Sequence, residues 1–596
     1  MILQSLYELY QRIKDDPAYD IPPQGYSLQR VSFKVVLRKD GSLFDIQDVR
    51  IEGRPRQIRV LGVTKQSGSG FNPCFLWDNT AYMLGFKAKD DDPKRTNSEF
   101  EHFRSYHLSL EKEIDSDLFS KVCRFLESWT PERAKDFPIL MDVSTGFGVF
   151  QISGEPGYVH QDQKIDSWWQ GHWQQQQAGQ EGETIKGQCS ITGNWGPIAR
   201  LHPMTKGVSG GKAQVALVSF NEQAYESYGK DQAFNSPATV EAAFEYGSAL
   251  NALLDGPMKT KHRLRIGDAT VVFWTGQPSF VEDVFAPFLQ NEFELSSAEP
   301  VQDEATRQKL EMFLRALRIG VEKCQDIGRD ERNNNFYLLA LSPNAARLSV
   351  RYFYRGTIQE MLDNLRKHFL DMSIERRFGE ESRRPEPEFP SIWMLLNQTA
   401  RKSEDIPPVL AGPLLRAILT GLPYPDGLFQ SVIRRIRADR TINYFRACII
   451  KAWLVRNRKK EVTMSLDYEK RDPAYRIGRL FAALEKTQAD ALGQVGSNIR
   501  DRFYSAASAT PQSVFPRLLR TYQHHLSKLE TGIKINREKL VQEIVESLHE
   551  FPAHLNLADQ GMFALGYYHQ MQAFFQRQGQ KNKETSKDIK SNEEES

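Results

Sequence analysis

Apolar and polar positions alternate along the first third of the chain, then give way to helical spacings of three and four. The run SLQRVSFKVVLRKDGSLFDIQDVRI alternates as half-buried strands do, and Lys39-Asp40-Gly41 at its middle predicts a hairpin turn. Ahead of it, Leu3, Leu6, Leu9, Tyr10 and Ile13 predict a helix over 1–14. Short strands are expected at 56–63, 75–86 and 264–274, and in the pair FYLLALSP and ARLSVRYFYRG. Helices are expected over 303–323 and 357–372. RRPEPE at 383–388 breaks the periodicity and reads as a linker. Beyond it helices are expected over 413–422, 429–457, 474–489, 494–506, 514–531, 536–550 and 562–578.

This pattern is α+β: a mainly β or mixed N-terminal region with irregular insertions, followed by an all-α C-terminal helical bundle. The expected divisions are an α+β region over 1–380, a linker and basic helical segment over 381–463, and a helical bundle over 464–578. A tail without fixed structure follows over 579–596, QKNKETSKDIKSNEEES being too polar to build a core. An insertion at 154–187 carries SWWQGHWQQQQAGQEGE. Its tryptophans either pack on the body from a loop or offer bases a stacking platform.

Composition narrows the class. A chain of 596 residues exceeds a single core. No apolar run is long enough to span a bilayer, and MILQSLYELYQRIKDD lacks the basic start and cleavage site of a signal peptide. Five scattered cysteines without C-x-x-C argue against zinc and a disulfide framework, and suit a reducing, cytoplasmic setting. The net charge of +2 conceals a cluster. Between 431 and 460 stand Arg434, Arg435, Arg437, Arg440, Arg446, Lys451, Arg456, Arg458, Lys459 and Lys460, with only Asp439 against them. Such an excess is stabilised by polyanions.

Catalytic patterns fail one by one. Gly68 and Gly70 lack the Gly-Lys that a nucleotide-hydrolysing loop needs, and 206–213 has Lys206 for its first glycine and Ala213 for its Ser/Thr. Gly207-Val-Ser209-Gly-Gly211 matches a nucleophile elbow in letters, but a β-like run follows where a helix belongs. His102, His107 and the pair His524-His525 have no metal-ligand spacing. No enzyme, metal or cofactor is expected.

Holding phosphate without cleaving it suits three elements. The loop KQSGSGFN offers Lys65, Gln66, Ser67, Ser69 and Asn72, and its glycines admit close approach to a duplex. A second glycine-rich loop offers Lys206 and Lys212. The basic stretch offers Arg434, Arg435, Arg437, Arg456, Arg458 and Lys459 as a backbone-contacting face, with Ile436, Ile442, Phe445, Ile449, Ile450, Trp453 and Leu454 for burial. The plainer alternatives are tight turns and a solvated helix face.

Several separated blocks also resemble a known family. GFNPCFLWDNTAYMLG at 70–85, CSITG with PIARLHPMTKGVSGGKAQVALVSFN at 189–221, AFEYGSALNALL, HRLRIGDATVVFWTG and FYLLALSPNAARLSVRYF resemble the large subunit of the subtype I-C CRISPR effector complex (Cascade). The resemblance implies a non-catalytic subunit of an RNA-guided ribonucleoprotein. Such a subunit would inspect duplex DNA for a protospacer-adjacent motif (PAM), help to split the strands into an R-loop, and help to recruit the helicase-nuclease. Guide RNA would read sequence, while protein reads the motif and the backbone. The implied partners are the guide RNA with its backbone and RNA-processing subunits, the small subunit, target double-stranded DNA and the helicase-nuclease, with no membrane. The resemblance further implies a small subunit translated from within the same gene, for which Met464 is the candidate start. Arg476, Arg479, Arg500, Arg502, Arg517 and Arg520 would then line the displaced strand. Two alternatives remain: a guide-RNA-processing endoribonuclease using His102, His107 or Tyr106, and a passive scaffold.

Overall fold

The hairpin expected at Gly41 forms in the computed structural model of the chain, which describes residues 1–62, 70–143, 145–179, 185–211, 215–220, 222–290, 304–344, 347–376, 386–493 and 496–594. Two compact units emerge. One comprises 3–203 and 218–249, the other 204–217 and 250–596, with residues 1 and 2 divided between them.

The chain enters through α1 (Ile2–Ile13). In the first unit β1 (Tyr26–Leu37) turns at Gly41, whose φ of 89° favours a residue without a side chain, into β2 (Leu43–Asp48). With β3 (Arg56–Leu61), β4 (Trp77–Asn79) and β5 (Phe147–Ile152) they make a five-stranded sheet. Its centre is β1, antiparallel to β2 and β3 and parallel to β5. Phe33 and Val35 of β1 share a core with Phe100 and Phe103 of α2 (Pro93–Leu110) and Phe119 and Val122 of α3 (Asp117–Ser128).

Two expectations change here. The strand expected over 75–86 shrinks to β4, because Asn79 caps a short helix, Thr80–Leu84. Its side-chain oxygen accepts from the N–H groups of Ala81 and Tyr82 at 3.0 and 3.2 Å, and Gly85 closes the turn at φ 67°. The Trp/Gln insertion contains a helix, α4 (Gln163–Gly179). Trp169 is buried, lies parallel to Phe75 with ring centroids 5.3 Å apart, and donates its indole N–H to the Gly25 carbonyl at 2.9 Å. It is a core residue, so it cannot serve as a platform for bases. Ile165, Trp169 and Trp173 recur at helical spacing that the glutamines obscure.

In the second unit, β6 (Met204–Thr205), β7 (Val215–Ala216), β8 (Arg263–Ile266), β9 (Ala269–Thr275), β10 (Asn335–Asn344) and β11 (Arg347–Thr357) form a sheet in the order β8-β9-β10-β11-β7-β6. Helices follow: α5 (Glu304–Ile319), α6 (Ile358–Met372), α7 (Pro408–Thr420), α8 (Asp426–Asp439) and α9 (Tyr444–Arg458). Then come α10 (Pro473–Leu492), α11 (Ile499–Ala507), α12 (Pro511–Leu526), α13 (Thr531–Glu546) and α14 (Leu557–Glu594). A capping box starts α6: Thr357 Oγ1 accepts from the Glu360 N–H at 3.1 Å while the Glu360 carboxylate accepts from the Thr357 N–H at 2.9 Å.

The helix expected over 429–457 is two helices. Arg440 turns left-handed at φ 57°, and Asn443 caps α9 by accepting from the Arg446 N–H at 2.9 Å. Buried side chains from Leu264 to Phe574 form one continuous core shared by sheet and helices. The last helix runs on to Glu594, through the stretch where the sequence predicts an unstructured tail. Its Lys, Glu and Gln residues favour helix once a helix has started.

Candidate nucleic-acid interface

Of the first loop's candidates, Asn72 is in view; Lys65, Gln66, Ser67 and Ser69 lie outside the described residues, as does Lys212. Several contacts tie the residues around Asn72 to the first unit. Trp77, after the loop, donates its indole N–H to the carbonyl of Leu61, before it, at 2.6 Å. After it, Phe71 stacks on His102 with centroids 4.2 Å apart, and the Arg95 guanidinium sits 5.9 Å from the Phe71 ring. The Asn72 N–H donates to the Tyr82 hydroxyl at 3.3 Å, while its exposed side chain makes no hydrogen bond among the described residues. Further along, Leu76 is held left-handed at φ 63°, with its N–H donated to His107 Nε2 at 3.0 Å.

His107 is thereby committed to the fold. Its Nδ1 faces the Phe103 carbonyl at 2.7 Å and so carries the proton, which leaves Nε2 to accept from Leu76. Burial pushes its pKa down to about 4, outweighing the carbonyl contact that raises it. Burial likewise drives the Tyr106 hydroxyl up to about 12. Arg95, which charge counting overlooked, is an exposed cation beside Phe71; it pairs with Glu99 at 3.2 Å. Its only sequence signal is a position at the start of α2, beside Pro93 and Lys94.

The described part of the second glycine-rich loop, 206–211, is a packed turn. The half-buried Lys206 donates its backbone N–H to Asn251 at 2.8 Å, and Ser209 donates its N–H to the Thr270 hydroxyl at 3.0 Å. At Gly207, φ is 80° and a Cβ would come within 2.8 Å of the Leu254 carbonyl. Gly207 serves close packing. Short strands flank the Ser209 turn on both sides, the wrong setting for a nucleophile elbow.

The basic helices sort themselves by burial. Arg446 is buried and grips Asp439 with both guanidinium nitrogens at 2.6 and 2.8 Å, and Arg435 adds a bond at 2.8 Å. Burial raises the Asp439 pKa, but hydrogen bonds from Arg446 and the Thr441 N–H outweigh it and leave the carboxyl below its ordinary range. Arg456 sits inside the core on Asp371 and leaves the set of surface contacts. Arg434, Arg437, Arg458 and Lys459 are exposed, with Arg458 5.0 Å from the Trp453 ring.

The same sorting corrects the displaced-strand set. Arg476 is buried on the carbonyls of Lys470, Glu543 and Ile544. Arg479, fully buried, bonds both Glu543 oxygens at 3.1 and 2.7 Å. Arg500 is half-buried, 3.6 Å from Glu485. Only Arg502, Arg517 and Arg520 remain exposed, with Arg517 5.5 Å from the Phe503 ring. Among the described residues no cluster of His, Cys, Asp or Glu could hold a metal ion, and no helix is long and apolar enough to cross a membrane.

Asn72 thus stands exposed beside a glycine-rich loop in the first unit, and Arg434, Arg437, Arg458 and Lys459 stand exposed in the second. The chain belongs to the family described as CRISPR-associated protein (Cas_Csd1), whose sequence model matches residues 6–575. No curated protein matches it.

Proposed function

We propose that this chain is the large, non-catalytic subunit of a type I-C RNA-guided surveillance complex. In this reading it assembles with the guide RNA, the backbone and RNA-processing subunits and the small subunit. It recognises the PAM in target duplex DNA, promotes strand separation into an R-loop, and helps to recruit the helicase-nuclease. The family match supports the CRISPR setting. The observation that carries the reading is Asn72, whose exposed side chain stands on a backbone that donates its N–H to the Tyr82 hydroxyl, next to the Phe71–His102 stack. Rigid support under a bidentate amide is what base-edge reading requires. The engagement of both His107 ring nitrogens by backbone favours this reading over an RNA-cleaving one.

In reconstituted complexes, Asn72→Ala should lower discrimination between correct and scrambled adjacent motifs by about tenfold or more, the effect of a lost bidentate base contact. Lys65→Ala should weaken binding to both DNAs alike. Discrimination preserved in Asn72→Ala, with assembly intact, would remove motif reading from this residue.

We further propose that Met464 starts a separately translated small subunit. Met464 is exposed in the segment between α9 and α10, and the tight α10–α14 pair lies wholly beyond it. Met464→Leu should abolish a shorter C-terminal product, seen by mass spectrometry, while leaving the full chain. Persistence of that product would place its start elsewhere.

A further inference from the structure

On the helical unit a depression of about 610 Å³ opens between the outer face of α8, α11 and the first residue of α14. Its volume lies within the range of sites for small ligands, roughly 300–1,000 Å³. Gln430, Ile433, Arg434, Arg437, Ser505 and Leu557 line it. Arg434 and Arg437 are three residues apart on α8 and so share a face. Both are exposed, and neither forms an ion pair among the described residues. The neighbouring carboxylates are occupied: Asp439 by Arg446 and Arg435, and Asp559, two residues beyond Leu557, by Lys460 at 3.3 Å. Two guanidiniums without an ion-pair partner among the described residues thus line a cavity whose remaining wall is the apolar Ile433, Ala438 and Leu557 with the polar Gln430 and Ser505, Ile433 being buried and Leu557 44% exposed. The walls are joined, since Ser505 Oγ donates to the Arg437 carbonyl at 3.0 Å.

Paired cations beside an apolar wall match the two chemistries of a nucleotide, a phosphodiester and a base. A paired base is stacked inside its duplex and cannot reach such a wall, whereas an unpaired one can. We propose that this depression holds one nucleotide of a single-stranded nucleic acid, its phosphodiester on Arg434 and Arg437 and its base against Leu557 and Ile433. Arg502, exposed one turn before Ser505 on α11, offers the next cation along the strand. The inference deepens the reading that this chain handles separated strands, and it needs no adjacent motif.

The test is fluorescence anisotropy of the full chain with a short labelled oligothymidylate, titrated at stepped salt. Each phosphate contact to a single strand contributes about 0.7 to the slope of log affinity against log salt, so Arg434→Gln with Arg437→Gln should lower the slope by about 1.4. Leu557→Ala should weaken binding by about three- to tenfold through lost apolar contact, with the salt slope unchanged. It should not affect binding of a blunt duplex of equal length. Thermal melts matching the parent would show that the variants are folded. An unchanged slope in the double variant overturns the proposal. So does full affinity in Leu557→Ala, which would reduce the site to a plain electrostatic surface. Displacement of the oligonucleotide by equimolar thymidine monophosphate or inorganic phosphate would assign the site to a free ligand and also overturn it. Because oligothymidylate carries no motif, failure here leaves the Asn72 experiment standing, and the converse holds.

Discussion

Gly566→Ala should destabilise the helical unit by about 3 kcal/mol or more, at the upper end of what an overpacked core suffers. A Cβ on Gly566 of α14 would stand 2.0 Å from the Tyr475 carbonyl oxygen, and one on Gly478 of α10 would stand 2.1 Å from the Phe563 carbonyl oxygen. The two helices therefore cross backbone to backbone, each presenting a glycine to the other's carbonyl. The obstructing atoms belong to main chain, so no side chain can rotate away and the helices must separate. Separation would loosen the contacts of Phe481 with Phe563 and Tyr567, whose ring centroids lie 5.8 and 6.1 Å away. Helix propensity alone predicts the opposite sign, a gain of up to about 1 kcal/mol for Gly→Ala. Gly412 of α7, with nothing within 4 Å of its Cβ position, is the control that should show this gain. Urea unfolding of the full chain, followed by circular dichroism, compares the two. Equal behaviour of Gly566→Ala and Gly412→Ala would refute the close crossing. The crossing lies wholly within 464–596, so Gly566→Ala should impair a chain begun at Met464 as severely.

The second large effect is expected at Arg456. Its Nε bonds Asp371 at 2.7 Å, its Nη1 donates to the carbonyls of Ala417 and Leu422 at 2.8 and 3.3 Å, and the guanidinium lies 4.2 Å from the Tyr424 ring centroid. Only 2% of this side chain and 12% of Asp371 reach solvent. Arg456→Ala leaves a carboxylate and two carbonyls buried without their donor, a change that costs about 3–5 kcal/mol. Arg456→Met combined with Asp371→Leu should recover most of the loss, because the buried charges leave together. Arg458→Ala, two residues on and exposed, should stay within about 0.5 kcal/mol. If Arg456→Ala left the unfolding midpoint unchanged and weakened nucleic-acid binding, the arginine would belong on the surface after all.

Arg456 and Arg458 also show how far the chain's pattern could be read. Charge counting puts both on one basic stretch, and α9 gives no help in separating them. Residues Tyr444, Arg446–Leu454 and Arg456 are almost all buried, so no polar face exists to mark the solvent side. The break at Arg440 was more legible than it looked. Asp439 and Asn443 bracket it, one accepting the Thr441 N–H and the other capping the next helix. Asn79 and Gly85 similarly announce a helix inside a run that reads as strand. In each case a local capping signal overrode the periodicity around it.

The sequence by itself determined the α+β class, the β1–β2 hairpin at Gly41, the β10–β11 strand pair, the start of α6 at Thr357 and the helical C-terminal half. All of these rest on neighbours close along the chain, where alternation, turn residues and caps act. The CRISPR family was legible too, through separated blocks in order, and the family match over 6–575 agrees. Tertiary structure alone decided which cations are exposed. It buries Arg446, Arg456, Arg476 and Arg479 on carboxylates or carbonyls distant or adjacent in sequence, and leaves Arg434 and Arg437 facing a cavity. It also turned Trp169 into core and Gly207 and Gly566 into points of close approach. The reason is physical: a charge or a glycine is the same letter wherever it stands, and its role depends on the partner that folding brings to it.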